Sequence, residues 1–207
     1  MADMEFVWVV RREDLFGDTD PQGYLRLEEP ELRERFLVPM LERGFYVERR
    51  EAERSPEWKQ VIPYCLVRHG GRYLLLERLR AQSEARLHGL LHLGVGGHIE
   101  PCDQVPQLDR IEAAARRELA EELVLEEIVA LRPLGLLNDD GNEVGAVHVG
   151  VVYGVELAGA APGVRETHMM AGSLTPLEDL MGLCQDLRRF ESWTAEILCV
   201  PGWERWS

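Results

Sequence analysis

The sequence predicts an α+β sandwich, not a doubly wound parallel sheet. Three observations carry this. Hydrophobic residues make up 45% and charged residues 29% of 207, the mix of a globular chain with a buried core. Strand-like runs lie next to each other and are joined by short turns, as in hairpins. One strongly amphipathic helix follows them, where a doubly wound fold would alternate strand and helix throughout.

The elements follow in chain order. Residues 5–11 are rich in Phe, Val and Trp and predict a strand. Residues 17–23 hold Gly, Asp and Pro and predict a loop. Over 30–43, Leu32, Phe36, Leu37 and Leu41 fall at helical spacing. A further strand begins at 45–47. Residues 61–67 and 73–78 read as two strands, and His69-Gly70-Gly71 between them is suitable hairpin chemistry. Residues 91–99 read as another strand, interrupted by Gly94, Gly96 and Gly97. Gly inside a strand marks a bulge or a close approach of backbone.

The clearest helix comes next. Asp109 can cap it, and Ile111, Ala115, Leu119 and Leu123 make an apolar stripe. Three alanines, Ala113 to Ala115, favour the helix intrinsically. Beyond it, 131–137, 144–152 and 153–157 read as strands. Helices are expected at 177–187, opened by Thr175-Pro176, and at 190–198. No repeat or low-complexity linker interrupts the chain.

Charge and cysteine usage limit the function. The net charge is −14, with 37 acidic against 23 basic residues, which argues against a general binder of nucleic acid duplexes. An acidic protein still takes an anionic small molecule when a divalent cation lies between them. Four cysteines, none in a Cys-x-x-Cys pair, make no disulfide framework. The apolar patch at 6–10 is too short for a signal sequence, and no run reaches the roughly 18 apolar residues of a membrane span. These readings together predict a cytoplasmic enzyme without a membrane partner.

The central helix carries the chemistry. Glu118, Glu121 and Glu122 are spaced i, i+3 and i+4 and share one face. Such carboxylates repel one another, and Mg²⁺ or Mn²⁺ with oxygen ligands removes the conflict. Arg117 is placed to hold Glu121 in orientation. An acidic helix face is common in a chain with 37 acidic residues. What sets this one apart is Gly96-Gly97-His98 upstream, where backbone can approach a metal or phosphate closely.

At these residues the sequence resembles the Nudix hydrolase superfamily, whose signature is G-x5-E-x7-R-E-U-x-E-E-x-G-U with U apolar. Gly97 matches the first Gly, Arg117-Glu118-Leu119-Ala120-Glu121-Glu122 matches R-E-U-x-E-E, and Leu125 matches the last apolar position. The stretch between Gly97 and Arg117 is about six residues longer than the signature, an insertion placed at 101–108, where loop length is cheap. Counted back from Arg117, the signature's first Glu becomes Asp109, and the late Gly is Val124. Lys59 to Tyr64, Arg86-Leu87-His88-Gly89, and Leu136 to Gly150 further resemble a bacterial group described as predicted Nudix-type phosphoesterases.

The resemblance implies an α/β/α sandwich with a mixed sheet over 60–207, preceded by an N-terminal extension at 1–59 packed on the core. It implies hydrolysis of a diphosphate linkage in a nucleoside-diphosphate-type small molecule. Glu118, Glu121, Glu122 and the Gly97 carbonyl would hold the metal, with Glu121, Glu122 and Arg117 in catalytic roles. Gly96, His98, Asp139 and Asp140 would meet substrate. The general base is open among Glu121, Glu122, Asp139, Asp140, Glu143 and Glu166. Asn138-Asp139-Asp140 is also ordinary turn chemistry, and His148 in its apolar strand is also an ordinary sheet-face histidine. Two other classes share the resemblance. An isopentenyl diphosphate isomerase needs a reactive Cys before the Gly pair, and His92-Leu93-Gly94-Val95 has none. A nucleotide-sensing Nudix module usually loses signature carboxylates, and all three are present here. Trp193, Trp203 and Trp206 can cover the core or a second subunit of a homodimer.

Overall fold

Alternate residues of one long strand, Trp58–His69, belong to two different cores. Val61, Cys65 and Val67 enter one, and Tyr64 and Leu66 enter the other. A strand with both faces covered reads as an almost continuous apolar run, and this one does. Its hairpin partner Arg72–Arg78 divides likewise, with Leu74 and Leu76 on one face and Tyr73 and Leu75 on the other. The computed structural model describes residues 4–79, 89–165, 167–168 and 170–206. Arg86-Leu87-His88 and Glu166 lie outside the described residues.

The strands in chain order are β1 (Phe6–Arg11), β2 (Gly23–Arg26), β3 (Phe45–Glu48), β4 (Trp58–His69), β5 (Arg72–Arg78), β6 (Leu91–His92), β7 (Gly94–Val95), β8 (Leu123–Val124), β9 (Glu127–Asn138), β10 (His148–Ala158), β11 (Gly163–Val164) and β12 (Met170–Thr175). Among the described residues, ten form one mixed sheet with the spine β12-β5-β4-β10-β9-β2, and β8 and β11 pair separately. β10 runs parallel to β4 and antiparallel to β9. β4 turns into β5 through Gly70-Gly71, both at positive φ, as a two-residue hairpin requires. Residues 1–59 contribute to this same sheet: β1 pairs with β4 and β2 with β9.

The central helix Arg110–Glu122 lies on one face. Ile111, Ala115, Leu119 and Leu123 are all fully buried there, and Asp109 caps the helix by accepting from the Glu112 N–H. The helical segment 29–43, with a π-turn at Arg33–Leu37, packs into the same core through Leu32, Phe36 and Met40. The other face is covered by Leu177–Leu183, Ser192–Leu198 and the C-terminal Trp203 and Trp206. Two layers of helix around a mixed sheet make the α+β sandwich that the sequence predicts. The C-terminal tryptophans serve the core: Trp203 and Trp206 both pack against Tyr73, with ring centroids 5.2 and 5.5 Å away.

Several boundaries differ from the sequence reading. Glu143–Ala146 is a helical turn and not strand, because the Asn142 side chain accepts from the Gly145 N–H and caps it. The strand that follows is one element, β10, where the sequence predicts two. The helix expected at 177–187 ends at Leu183, and the one expected at 190–198 starts at Ser192, because Phe190 bridges to Leu91 instead. β2 and β12 have no counterpart among the strands the sequence predicts. They are edge strands with little apolar alternation, and what holds them is pairing to β9 and β5. Among the described residues no helix is long and apolar enough to cross a membrane.

Candidate active site

The central helix ends where β6, β7 and the Gly pair pass beneath it, and this crossing sets the geometry. A Cβ on Gly96 would sit 1.9 Å from the Pro63 carbonyl oxygen, and one on Gly97 would sit 2.4 Å from Glu118 Oε1. Only glycine lets this backbone reach both β4 and the helix carboxylate.

Arg117 organises the cluster. Its guanidinium has five N–H donors, and five acceptors meet them. Nε and Nη2 donate to the two carboxylate oxygens of Asp103, at 2.9 and 3.0 Å. Nη1 donates to Glu118 at 2.8 Å and to Glu121 at 3.1 Å, and Nη2 also donates to the His98 carbonyl at 2.8 Å. The fork thus ties the helix to the Gly-rich strand end and to the turn that carries Asp103. Burial pushes the Glu118 carboxyl above its ordinary range, opposed by Arg117.

Asp103 is the residue that sequence reasoning missed. The count back from Arg117 makes Asp109 the signature's first acid, but Asp109 is the helix cap. Counted forward from Gly97, the acidic position is Asp103, and it is Asp103 that pairs with Arg117. Asp103 also accepts from the Glu100 N–H and is only 3% exposed. The segment 101–108 is not wholly the exposed loop that the sequence predicts. Pro101–Asp103 is a 3₁₀ turn that delivers Asp103 inward, and the extra length lies after it, with 104–107 exposed.

Glu121 and Glu122 line a cleft of about 300 Å³ together with Gly96, His92, Arg78 and Glu191. Both glutamates lie in the last turn of the helix, which has no basic residue. The helix dipole is negative there, so the site disfavours anions and favours a cation. Among the described residues, no three His, Cys, Asp or Glu side chains are gathered into a ready-made metal cage. The donors nonetheless suit a hard cation: carboxylate oxygens beside a backbone that glycine lets approach within contact of Glu118. A larger hollow of about 490 Å³, lined by Arg12, Asp20 and Trp58 among others, contains none of these residues.

His98, Asp139 and Asp140 do not line the cleft. The His98 ring turns to His148, with Nε2 to Nε2 at 3.2 Å. His148 Nδ1 donates to the Val144 carbonyl at 2.6 Å, so its Nε2 is the acceptor of the pair. Burial holds His98 down at about 3, and lowers His148 as well. The Asp139 carboxylate accepts from the Gly141 N–H and the Asn142 amide, closing its own turn.

Asp140 joins the N-terminal segment to the sheet. It accepts from Lys59 at 2.6 Å, from Gln22 at 2.7 Å and from Arg12, which also holds Asp20. Burial pushes its carboxyl up, but these donors outweigh burial and hold it well below the usual range. A depressed carboxyl contributes stability in full above its unfolded value of about 4 and loses it as pH falls further. Asp140→Asn is therefore expected to melt below wild type at pH 7, with the gap narrowing as pH falls below about 4. Thermal melts at several pH values check this. A gap that does not change with pH would contradict it.

No family model matches this chain. It is 32% identical to Protein YmaB of Bacillus subtilis (strain 168) over 203 residues, covering 95% of this chain and 97% of the relative. The crystal structure of Tm1382, described as a candidate Nudix hydrolase, superposes with a TM-score of 0.77 at 30% identity, covering 93% of this chain and 95% of that one. The chain belongs to the Nudix hydrolase superfamily. DR0079 from Deinococcus radiodurans, at 20% identity and a TM-score of 0.50, covers 67% of this Nudix hydrolase and 80% of its own chain, and shares the fold. Arg117, Glu118, Glu121 and Glu122 of this Nudix chain are thus signature positions on a Nudix fold. The resemblance at the signature extends through nearly all of the protein.

Proposed function

We propose that this Nudix enzyme hydrolyses a diphosphate linkage in a nucleoside-diphosphate-type small molecule, with Mg²⁺ or Mn²⁺ held by Glu118, Glu121, Glu122 and the Gly97 carbonyl. The observation that carries the reading is the Arg117 fork, which aligns Glu118 and Glu121 against the Gly-rich strand end. Bound metal supplies charge screening on the diphosphate, polarisation of the attacked phosphorus and a lowered pKa for water.

The chain's own residues do the rest. Asp103 fixes Arg117, and Arg117 holds the largely buried Glu118 and also reaches Glu121, which stays open to solvent at the helix end. One of Glu121 and Glu122, both at the cleft, would accept the proton of the attacking water on a carboxylate oxygen not committed to metal. Gly96, packed against the Pro63 carbonyl, presents its backbone to a phosphate at the cleft wall. His98 acts through its carbonyl on Arg117. Asp139 and Asp140 take no part, being committed to a turn and to an ion network.

Incubating the protein with a panel of nucleoside diphosphate conjugates, with and without Mg²⁺, tests this. Turnover that appears with metal and stops on chelation is expected. Metal-independent turnover, or none across the panel with Mn²⁺ bound, would overturn it.

A further inference from the structure

His92 forms part of the wall of the cleft and is 3% exposed. Its Nδ1 lies 3.0 Å from the Gly94 carbonyl. A carbonyl only accepts, so Nδ1 carries the proton and Nε2 carries a lone pair. That Nε2 is buried and has no hydrogen-bond partner among the described residues. A buried acceptor without a donor is costly, and native proteins seldom leave one. The ring is held in place, because β6 pairs with β5 on one side and the Leu93 N–H donates to Thr194 Oγ1 at 3.0 Å on the other. Burial keeps the ring neutral, so the lone pair persists at neutral pH.

We infer that His92 is a specificity residue: its Nε2 accepts a hydrogen bond from the nucleoside part of the ligand, a ribose hydroxyl or the base amine, in the cleft where Glu121 and Glu122 meet the diphosphate. This rests on the reading of the cleft as the diphosphate site, and it assigns that site a second requirement. Inorganic pyrophosphate satisfies the carboxylate side alone. A nucleoside diphosphate also brings the donor that His92 lacks. A site built to pair a polar group discriminates strongly against a ligand without it, because the buried group is then left unpaired.

The test is read by ¹⁵N NMR of the histidine rings in the full chain with Mg²⁺, with the His92 resonance assigned from its loss in His92→Asn. Titration with ADP is expected to shift the His92 Nε2 resonance, and pyrophosphate is expected not to. Dideoxy-ADP, which keeps the amine and drops the ribose hydroxyls, tells the two donors apart. His92→Asn keeps a donor for Gly94 and removes the acceptor. It should weaken ADP at least about 10-fold, on the scale of one unpaired buried group, without changing pyrophosphate or Mn²⁺ affinity. His92→Gln, which restores an acceptor near the Nε2 position, should recover most of the loss. An unmoved Nε2 resonance with ADP, or an equal shift with pyrophosphate, would overturn the inference and leave a histidine that binds only water. If the resonance shifts with ADP yet no diphosphate is hydrolysed, the hydrolase reading fails alone. If hydrolysis proceeds while the resonance stays still, this inference fails alone.

Discussion

Glu122→Gln is expected to reduce metal-dependent diphosphate hydrolysis by about 10²-fold or more, the scale of removing a principal electrostatic group from an active site. The amide keeps the size and shape of the side chain and removes only the charge. Two features predict that the fold will not suffer. Glu122 sits at i+4 from Glu118, so like-charge repulsion is relieved by a few tenths of a kcal/mol. It also lies in the final helical turn, where a negative charge opposes the dipole. The metal-free variant should therefore melt at or slightly above wild type, while Mn²⁺ affinity and turnover fall together. Turnover near wild type would reduce Glu122 to a solvated acid. A lower melting temperature would show a structural role, and the metal-centred reading would then move to other residues.

The largest effect on stability is expected at Asp140. Among the described residues, Asp140→Ala leaves the fully buried Lys59 with only the Gly145 carbonyl at 2.9 Å, and removes one of the two carboxylates on Arg12. Removing one partner of a fully buried pair costs about 3–5 kcal/mol, and because Asp140 is 26% exposed the loss here is expected at the low end, about 3 kcal/mol. In a chain of this length that lowers the melting temperature by roughly 10 °C. Turnover per folded molecule should be kept, since Asp140 does not line the cleft. Calorimetry and kinetics on the same sample decide the matter. Unchanged stability with lost turnover would return Asp140 to the substrate-binding role that the family resemblance implies. Lys59→Met together with Asp140→Ala should recover much of the loss, because the unpaired charge goes with the lysine.

The carboxylate-bearing helix is legible in the sequence because its information is local. Glu118, Glu121 and Glu122 share a face as a consequence of 3.6 residues per turn, and the four-residue stripe from Ile111 to Leu123 says which face is buried. The Gly70-Gly71 hairpin is legible for the same reason. Elements whose identity comes from a distant partner are not. β12 exists because it pairs with β5, and β2 because it pairs with β9, neither having a strong apolar alternation of its own. The acid that holds Arg117 is misplaced by counting because an insertion breaks the count, and only the 3₁₀ turn at Pro101–Asp103 shows on which side of Asp103 the extra residues lie.

By itself, then, the sequence determined the superfamily, the carboxylate-bearing helix and the sandwich class, from motifs and patterns of residues close together in the chain. The tertiary structure decided which polar residues serve the site and which serve the scaffold. Asp139 and Asp140 look alike in a row of residues, yet Asp139 closes its own turn onto Gly141 and Asn142, while Asp140 is met by Lys59 and Arg12 from 81 and 128 positions away. His98 is next to Gly97 in sequence, yet its ring turns toward His148 on another strand. His92 and Glu191 carry no signature at all, and a chain crossing brings both to the cleft of Glu121 and Glu122. Side-chain direction on a strand reverses at every residue, and which face meets the site depends on what packs against it.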